Sequence, residues 1–223
     1  MLVSRIVVSP WQANAYLVSG SAEGGECVVV DPGILGAGSI AAELDRLSLT
    51  PVALLATHGH LDHIGDAHIL AAEYGVPPHG IPLYCAVEDH PMLTTPSLGL
   101  GLQMMPLIHQ FLGRDALPPV ADLRPYEGSF ELAGLTITPS LAPGHTPGCT
   151  LLEVSDGTET LLFTGDVLFK GSIGRTDLPG GSMSEMRRSL AALVERFDPS
   201  LTVLPGHGQA TTIEAEIASN PYL

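Results

Sequence analysis

The sequence predicts an α+β fold of two mixed β-sheets with helices on their outer faces. Three features of chain order point to it: strand-period segments open the chain, strand–helix units follow, and strands and then strand–helix units recur in the second half. Alternation over Leu2 to Val8 and Asn14 to Ser19, then the apolar run Cys27 to Val30, predicts three strands, the last stopped by the Asp31-Pro32-Gly33 turn. Ile40, Leu44 and Leu47 recur at helical spacing behind Ser39, whose hydroxyl is the expected cap. Val52 to Ala56, bounded by Pro51 and a histidine cluster, is an apolar run of the length that forms a buried strand. A helix is expected from about His63 to Tyr74, ended by Gly75, and another strand over Ile81 to Cys85.

From His90 to about Pro119 the periodicity fades into Pro, Gly, Leu and Met. This predicts an irregular apolar excursion, either the wall of a substrate pocket or a cover on one end of the core. Strands are expected at Ser129 to Leu132, Leu135 to Leu141, Thr150 to Val154 and Thr160 to Thr164, with turns at Gly134 and Asp156-Gly157. Ser182-x-x-Glu185 opens a helix whose Met183, Met186, Leu190, Leu193, Val194 and Phe197 make one apolar stripe for a sheet to cover. Leu201 to Leu204 is the last strand, and Thr211-x-x-Glu214 predicts the cap of a closing helix. No tandem repeat or low-complexity linker divides the chain, so residues 1–223 are expected to form a single domain.

Nine Lys plus Arg against 24 Asp plus Glu leave a formal charge of −15, which argues against nucleic acid as a partner. Mean hydropathy is +0.29. The longest uncharged stretch, His90 to Gly113, is nevertheless broken by Pro91, Pro96, Gly99, Gly101 and Pro106, so no membrane partner is expected. Arg5 and Pro10 interrupt any secretory leader, and Cys27, Cys85 and Cys149 form no C-x-x-C pair; both observations point to the cytoplasm. The chain does not specify whether it forms a homo-oligomer. The informative count is histidine: nine residues equal the whole Lys plus Arg complement, and imidazole binds metals.

Four of the candidate metal ligands fall in one short string, Thr57-His58-Gly59-His60-Leu61-Asp62-His63, between a predicted buried strand and a helix start. Ligand sites in open α/β sheets lie at such carboxyl ends of strands. His58 and His60, two residues apart on a turned backbone, can aim at one metal, while Asp62 and His63 at the bend can aim at a neighbouring one. Three further candidates stand at other strand ends, each flanked by Gly or Pro: His145 in Pro143-Gly144-His145-Thr146-Pro147-Gly148, Asp166 in Thr164-Gly165-Asp166, and His207 in Pro205-Gly206-His207-Gly208. Singly, each reads more often as a loop residue. Together they complete a ligand count.

These motifs, in chain order over nearly the whole length, resemble those of the metallo-β-lactamase-fold hydrolases. The resemblance implies a four-layer αβ/βα sandwich with a binuclear metal site where its halves meet. It implies that His58, His60 and His145 hold a first divalent ion, that Asp62, His63 and His207 hold a second, and that Asp166 bridges them. Zn²⁺ fits such a donor set, and Fe and Mn fit it too. Asp166, where common metallo-β-lactamases have a thiolate, argues against antibiotic hydrolysis. The string Gly165-Asp166-Val167-Leu168-Phe169, followed by Gly171-Ser172-Ile173-Gly174-Arg175-Thr176-Asp177-Leu178-Pro179-Gly180-Gly181, is most similar to small glyoxalase II-like enzymes (hydroxyacylglutathione hydrolases).

The expected reaction is hydrolysis of a small-molecule thioester, an S-acyl or S-2-hydroxyacyl derivative of a low-molecular-weight thiol, through a hydroxide between the two metals, with Asp62 as the catalytic carboxylate. The glutathione-binding C-terminal helical domain of glyoxalase II is expected to be missing. Lys170 and Arg175 are then the candidates to meet a substrate carboxylate, against the alternative of a solvated Lys and an Arg paired with Asp177. Rival readings are a mononuclear-iron persulfide dioxygenase, a lactonase or phosphodiesterase on the same fold, and a metal-stabilised protein without activity. Cys149 reads as a small buried hydrophobe.

Overall fold

The computed structural model describes residues 1–223. The first half forms a six-stranded sheet in the order β1 (Leu2–Val8), β2 (Ala13–Ser19), β3 (Gly25–Val30), β4 (Leu49–Leu55), β5 (Leu83–Tyr84) and β6 (Leu123–Arg124). The first three strands are antiparallel, and β3 to β6 are parallel. Helices α1 (Ala37–Leu47), α2 (Leu61–Ile64), α3 (Ala67–Glu73), α4 (Ser97–Leu100) and α5 (Met105–Leu112) lie within the connections of the parallel part. The second sheet runs β14 (Thr211–Thr212), β13 (Thr202–Pro205), β10 (Thr160–Gly165), β9 (Thr150–Ser155), β8 (Leu135–Leu141) and β7 (Phe130–Leu132), with β10 and β13 its one parallel pair. A small ribbon, β11 (Leu168–Phe169) with β12 (Ser172–Ile173), precedes α6 (Met183–Arg196), and α7 (Ile213–Ser219) closes the chain.

Three apolar cores separate four layers. Leu17, Val29, Leu54 and Leu83 of the first sheet pack with Ile40, Leu44, Ile64 and Leu70 of its helices. Between the sheets, Tyr16, Val18, Val28, Val30 and Leu55 meet Leu135, Ile137, Leu152, Val154 and Phe163. Leu151, Leu162 and Val203 of the second sheet receive Met186, Leu190 and Leu193 of α6. Burying each such side chain contributes about 1.5–3 kcal/mol, which is why central strands with both faces covered are apolar throughout. This is the expected α+β sandwich of two mixed sheets with helices outside.

Local differences from the expectation have tertiary causes. The N-terminus of α1 is capped by Asp66 rather than Ser39: the Oδ2 of Asp66 accepts from the amides of Gly36 and Ala37 at 2.8 Å each. The single helix expected from His63 to Tyr74 is two, α2 and α3, parted at Gly65 and Asp66. Ser182 does cap α6, accepting from the Glu185 amide at 3.3 Å, but the apolar stripe starts at Met186, since Met183 is exposed. The closing helix is capped by Thr212 and not Thr211, whose hydroxyl donates to Glu216 instead.

The His90 to Pro119 excursion is not structureless. It begins within a 3₁₀ turn over Val87–Leu93 and holds α4 and α5, with Leu93, Ile108 and Leu117 buried in the first core.

Candidate metal centre

Both sheets aim their carboxyl ends at one place. Asp31 follows β3, His58 and His60 follow β4, His145 lies between β8 and β9, Asp166 follows β10 and His207 follows β13. Hydrogen bonds across the sandwich hold these ends in register. The Thr150 amide donates to the Thr57 carbonyl at 2.8 Å. Asn14 Nδ2 and Tyr16 Oη, both on β2, donate to the Pro205 carbonyl at 2.9 and 2.7 Å, which seats the loop carrying His207. At the end of β10, Gly165 has φ +48° and packs so closely on Thr57 that a Cβ would overlap its hydroxyl.

Six of the seven residues expected as ligands come together in two groups, the ligand atoms of each within 4.8 Å of one another: His58, His60 and His145, and Asp62, His63 and His207. In the first, His60 Nδ1 is 2.8 Å from His145 Nε2. In the second, His207 Nε2 is 3.2 Å from His63 Nε2 and 3.3 Å from Asp62 Oδ2. Asp166 lies between them, its Oδ2 3.5 Å from both His145 Nε2 and His207 Nε2 and its Oδ1 3.5 Å from His63 Nε2.

On four of the five imidazoles the outward nitrogen is held by an oxygen, whereas His60 Nε2 is buried without a partner. His58 Nδ1 is 3.1 Å from Thr57 Oγ1, His63 Nδ1 is 2.9 Å from Asp31 Oδ2, His145 Nδ1 is 2.7 Å from the Arg175 carbonyl, and His207 Nδ1 is 3.3 Å from the Gln12 carbonyl. Such partners orient the rings, and with the proton on Nδ1 they would leave Nε2 free to meet a cation at the centre. The side chains fit divalent ions on one further observation: His58 Nε2 and Asp166 Oδ1 are fully buried and find no hydrogen-bond partner within the protein. Buried polar atoms without partners are rare and costly, and a cation satisfies both kinds.

The electrostatics are those of a cluster built for cations. Burial and then the neighbouring imidazoles hold His58 well below the usual histidine range, and the same causes lower His60 to about 3. Burial alone would lower His63 as well. Asp62, Asp166 and Asp31 overcome it and raise that imidazole to about 10. Asp62 is held below the usual carboxylate range: burial opposes this, but His63 and His207 prevail.

Sequence reasoning missed two buried carboxylates. Asp31 accepts from the Thr57 amide and hydroxyl, each at 2.7 Å, while it holds His63. Asp89 is completely buried and joins two ligand-bearing loops, accepting from Gly59 N at 2.8 Å, Thr146 Oγ1 at 2.6 Å and Gly148 N at 2.8 Å. The visible signal for Asp31 was its place after an apolar strand; Asp89 had none.

The centre forms the floor of a cleft of about 530 Å³ lined also by Trp11, Leu100, Gln103, Met104, Phe169, Gly174, Arg175 and Leu178. The excursion therefore serves both purposes considered for it, covering the core with Ile108 and walling the cleft with Leu100 and Met104. Arg175 reaches the cleft, but its guanidinium is paired with Asp177 at 2.7 and 2.8 Å. Lys170 lines a neighbouring opening beside His207, its Nζ 3.5 Å from Gln209 Oε1. Cys149 is buried, and burial raises its thiol above the usual range.

No helix is long and apolar enough to cross a membrane. The sequence profile of the metallo-beta-lactamase superfamily matches residues 8–207. The chain is 31% identical over 226 residues to hydroxyacylglutathione hydrolase GloC of Haemophilus influenzae, covering 100% of this chain and 98% of that one. Among solved structures, the B3 metallo-beta-lactamase BLEG-1 superposes with a TM-score of 0.83 at 32% identity over 100% of this chain and 99% of that one. TTHA1623 in a di-iron-bound form does so with 0.78 at 33% over 99% and 100%. Sandwich, loops and His/Asp cluster thus agree with the profile and with full-length likeness: this chain belongs to the metallo-beta-lactamase superfamily, whose fold and metal-binding cluster imply divalent metal ions and hydrolase chemistry.

Proposed function

We propose that the protein hydrolyses thioesters of a low-molecular-weight thiol, in the manner of a glyoxalase II. The observation that carries the reading is Asp166 Oδ2, equidistant at 3.5 Å from an imidazole of each triad, where one carboxylate would serve ions held by both. Full-length similarity to a relative named hydroxyacylglutathione hydrolase supports the substrate class.

His58, His60 and His145 would hold one divalent ion and Asp62, His63 and His207 the other, with Asp166 between. The chemistry supplied there would be that of bound divalent ions, which would lower the pKa of water from 15.7 toward about 7 and polarise a carbonyl oxygen. Around that chemistry the side chains position and exclude. Asp62, on the cleft floor, accepts a hydrogen bond from the attacking water and fixes its direction. Asp31, Thr57 and the Arg175 carbonyl keep His63, His58 and His145 in the tautomers the centre needs. In balance, the C–S bond breaks as a C–O bond forms, and the water's proton passes to the departing thiolate. Lys170 and Arg175 are the cations we assign to a carboxylate on the thiol, Arg175 by exchanging its Asp177 partner for the substrate.

Elemental analysis of the purified protein, combined with anaerobic assay of a thioester, a lactone, a phosphodiester and a β-lactam, tests the reading. We expect two ions per chain, with Zn²⁺ favoured over Fe or Mn, and thioester cleavage fastest. The β-lactam belongs in the panel because BLEG-1 is similar over its whole length. One ion per chain, or activity confined to another substrate, overturns the proposal.

A further inference from the structure

The cleft floor is polar, and its side wall is not. Trp11, Leu100, Met104, Phe169 and Leu178 all line it, and all are half-buried. They come from three separate segments: the β1–β2 turn, the excursion, and the ribbon strand β11 with the loop beyond it after Asp166. Trp11 is braced edge-on against Phe111 of α5, ring centroids 5.2 Å apart at 65°, so α5 fixes the indole facing the cleft. Met104 adds an unbranched, polarizable surface that adapts to irregular shapes.

Beside this wall the polar side chains are few, Arg175 and Gln103, and each has a protein partner, which for Arg175 a substrate carboxylate would replace. The guanidinium of Arg175 is held by both oxygens of Asp177, and Gln103 Nε2 donates to the Leu100 carbonyl at 3.4 Å. A small hydroxylated acyl group would leave five large apolar side chains facing water above the centre. Pockets lined in this way are filled by apolar ligand surface.

We propose that the substrate carries an extended apolar group, an alkyl chain or ring well larger than a methyl, which packs against Trp11, Leu100 and Met104 while its reacting carbonyl sits over the His/Asp floor. This rests on the thioesterase reading and names the substrate class within it. The apolar group belongs either to the acyl part or to the thiol.

Trp11 is the sole tryptophan of the chain, so its emission reports occupancy of this wall independently of turnover. The test uses the metal-loaded protein as purified. One arm lengthens the acyl chain from acetyl to octanoyl on a fixed thiol, and a second lengthens an S-alkyl thiol with acetyl fixed. A third titrates octanoate and acetate while following Trp11 fluorescence. In the arm that matches the source, kcat/KM is expected to rise about fourfold per methylene over the first additions. Met104→Gln should cut the octanoyl-to-acetyl ratio, or its thiol-arm equivalent, about tenfold. Octanoate should shift Trp11 emission at concentrations where acetate does not. Thioester hydrolysis that is flat in both arms, with Trp11 emission indifferent to octanoate, overturns this inference and leaves the thioesterase reading standing. A Trp11 response to octanoate without cleavage of any thioester supports the apolar wall and overturns the activity beneath it.

Discussion

The Oδ2 of Asp31 lies 2.9 Å from Nδ1 of His63, and the same carboxylate takes both the amide and the hydroxyl of Thr57 at 2.7 Å. One buried side chain thereby couples the end of β3 to the loop after β4 and orients an imidazole. Asp31→Asn is expected to weaken metal binding by about 10- to 100-fold, the usual cost of losing an outer-shell partner. Competition against a chromogenic chelator measures it, and wild-type affinity would show that Asp31 serves the fold alone.

Asp166 touches both triads. Asp166→Asn should lower bound metal from two ions toward one per chain and cut thioesterase kcat by more than the ~100-fold of an outer-shell loss. Chelation of the wild type should abolish activity, with recovery on adding a divalent metal. Unaltered metal content in Asp166→Asn, measured by elemental analysis, would exclude a bridging role.

Asp89 lies beneath the centre and ties Gly59 of the His58–His60 loop to Thr146 and Gly148 of the His145 loop. An asparagine keeps one acceptor oxygen and turns an NH₂ toward donors. Asp89→Asn should therefore cost about 2–3 kcal/mol, lowering Tm by roughly 4–10 °C. Thermal denaturation of metal-loaded and chelated samples checks this, and a shift under 1 °C would contradict it.

The metal-stripped protein should be most stable near pH 6.5, close to the unperturbed histidine value. His58 and His60 have lowered pKa values when folded, the latter to about 3, so the unfolded chain binds protons first and stability falls as pH drops below ~6.5. His63 is raised to about 10, so its contribution is complete below ~6.5 and is lost as pH rises toward 10. Tm of chelator-treated protein at pH 4.5, 6.5 and 9 reads both limbs. A flat profile would refute the assignment.

Lys170 and Arg175 are exposed, and Arg175 already has a carboxylate partner. If they serve an anionic thiol, the Lys170→Ala, Arg175→Ala double variant raises KM about tenfold with kcat nearly kept, the pattern of lost uniform binding. Steady-state kinetics decides, and an unchanged KM returns both residues to the solvated surface.

Most strand segments, the position of α6 and the loops bearing His58 to His63, His145, Asp166 and His207 were legible because each rests on local pattern: period-two or helical spacing, and Gly or Pro punctuation at strand ends. The cap of α1 was not, because Asp66 lies about thirty residues beyond it and outcompetes Ser39 only once α2 folds back. Asp89 was invisible for the same reason: its three donors come from loops that are remote in sequence and meet only when the sheets pack.

The sequence by itself determined which residues had the chemistry to bind metal and at which strand ends they stood. Only the tertiary structure decided that Asp166 Oδ2 stands 3.5 Å from both His145 and His207, that Asp31 and Asp89 hold the ligand-bearing loops, and that Trp11, Leu100 and Met104 line one cleft. Ligand identity is a property of single side chains. Distances between atoms on five different strand ends exist only after two sheets have buried a common core, and no local pattern encodes them.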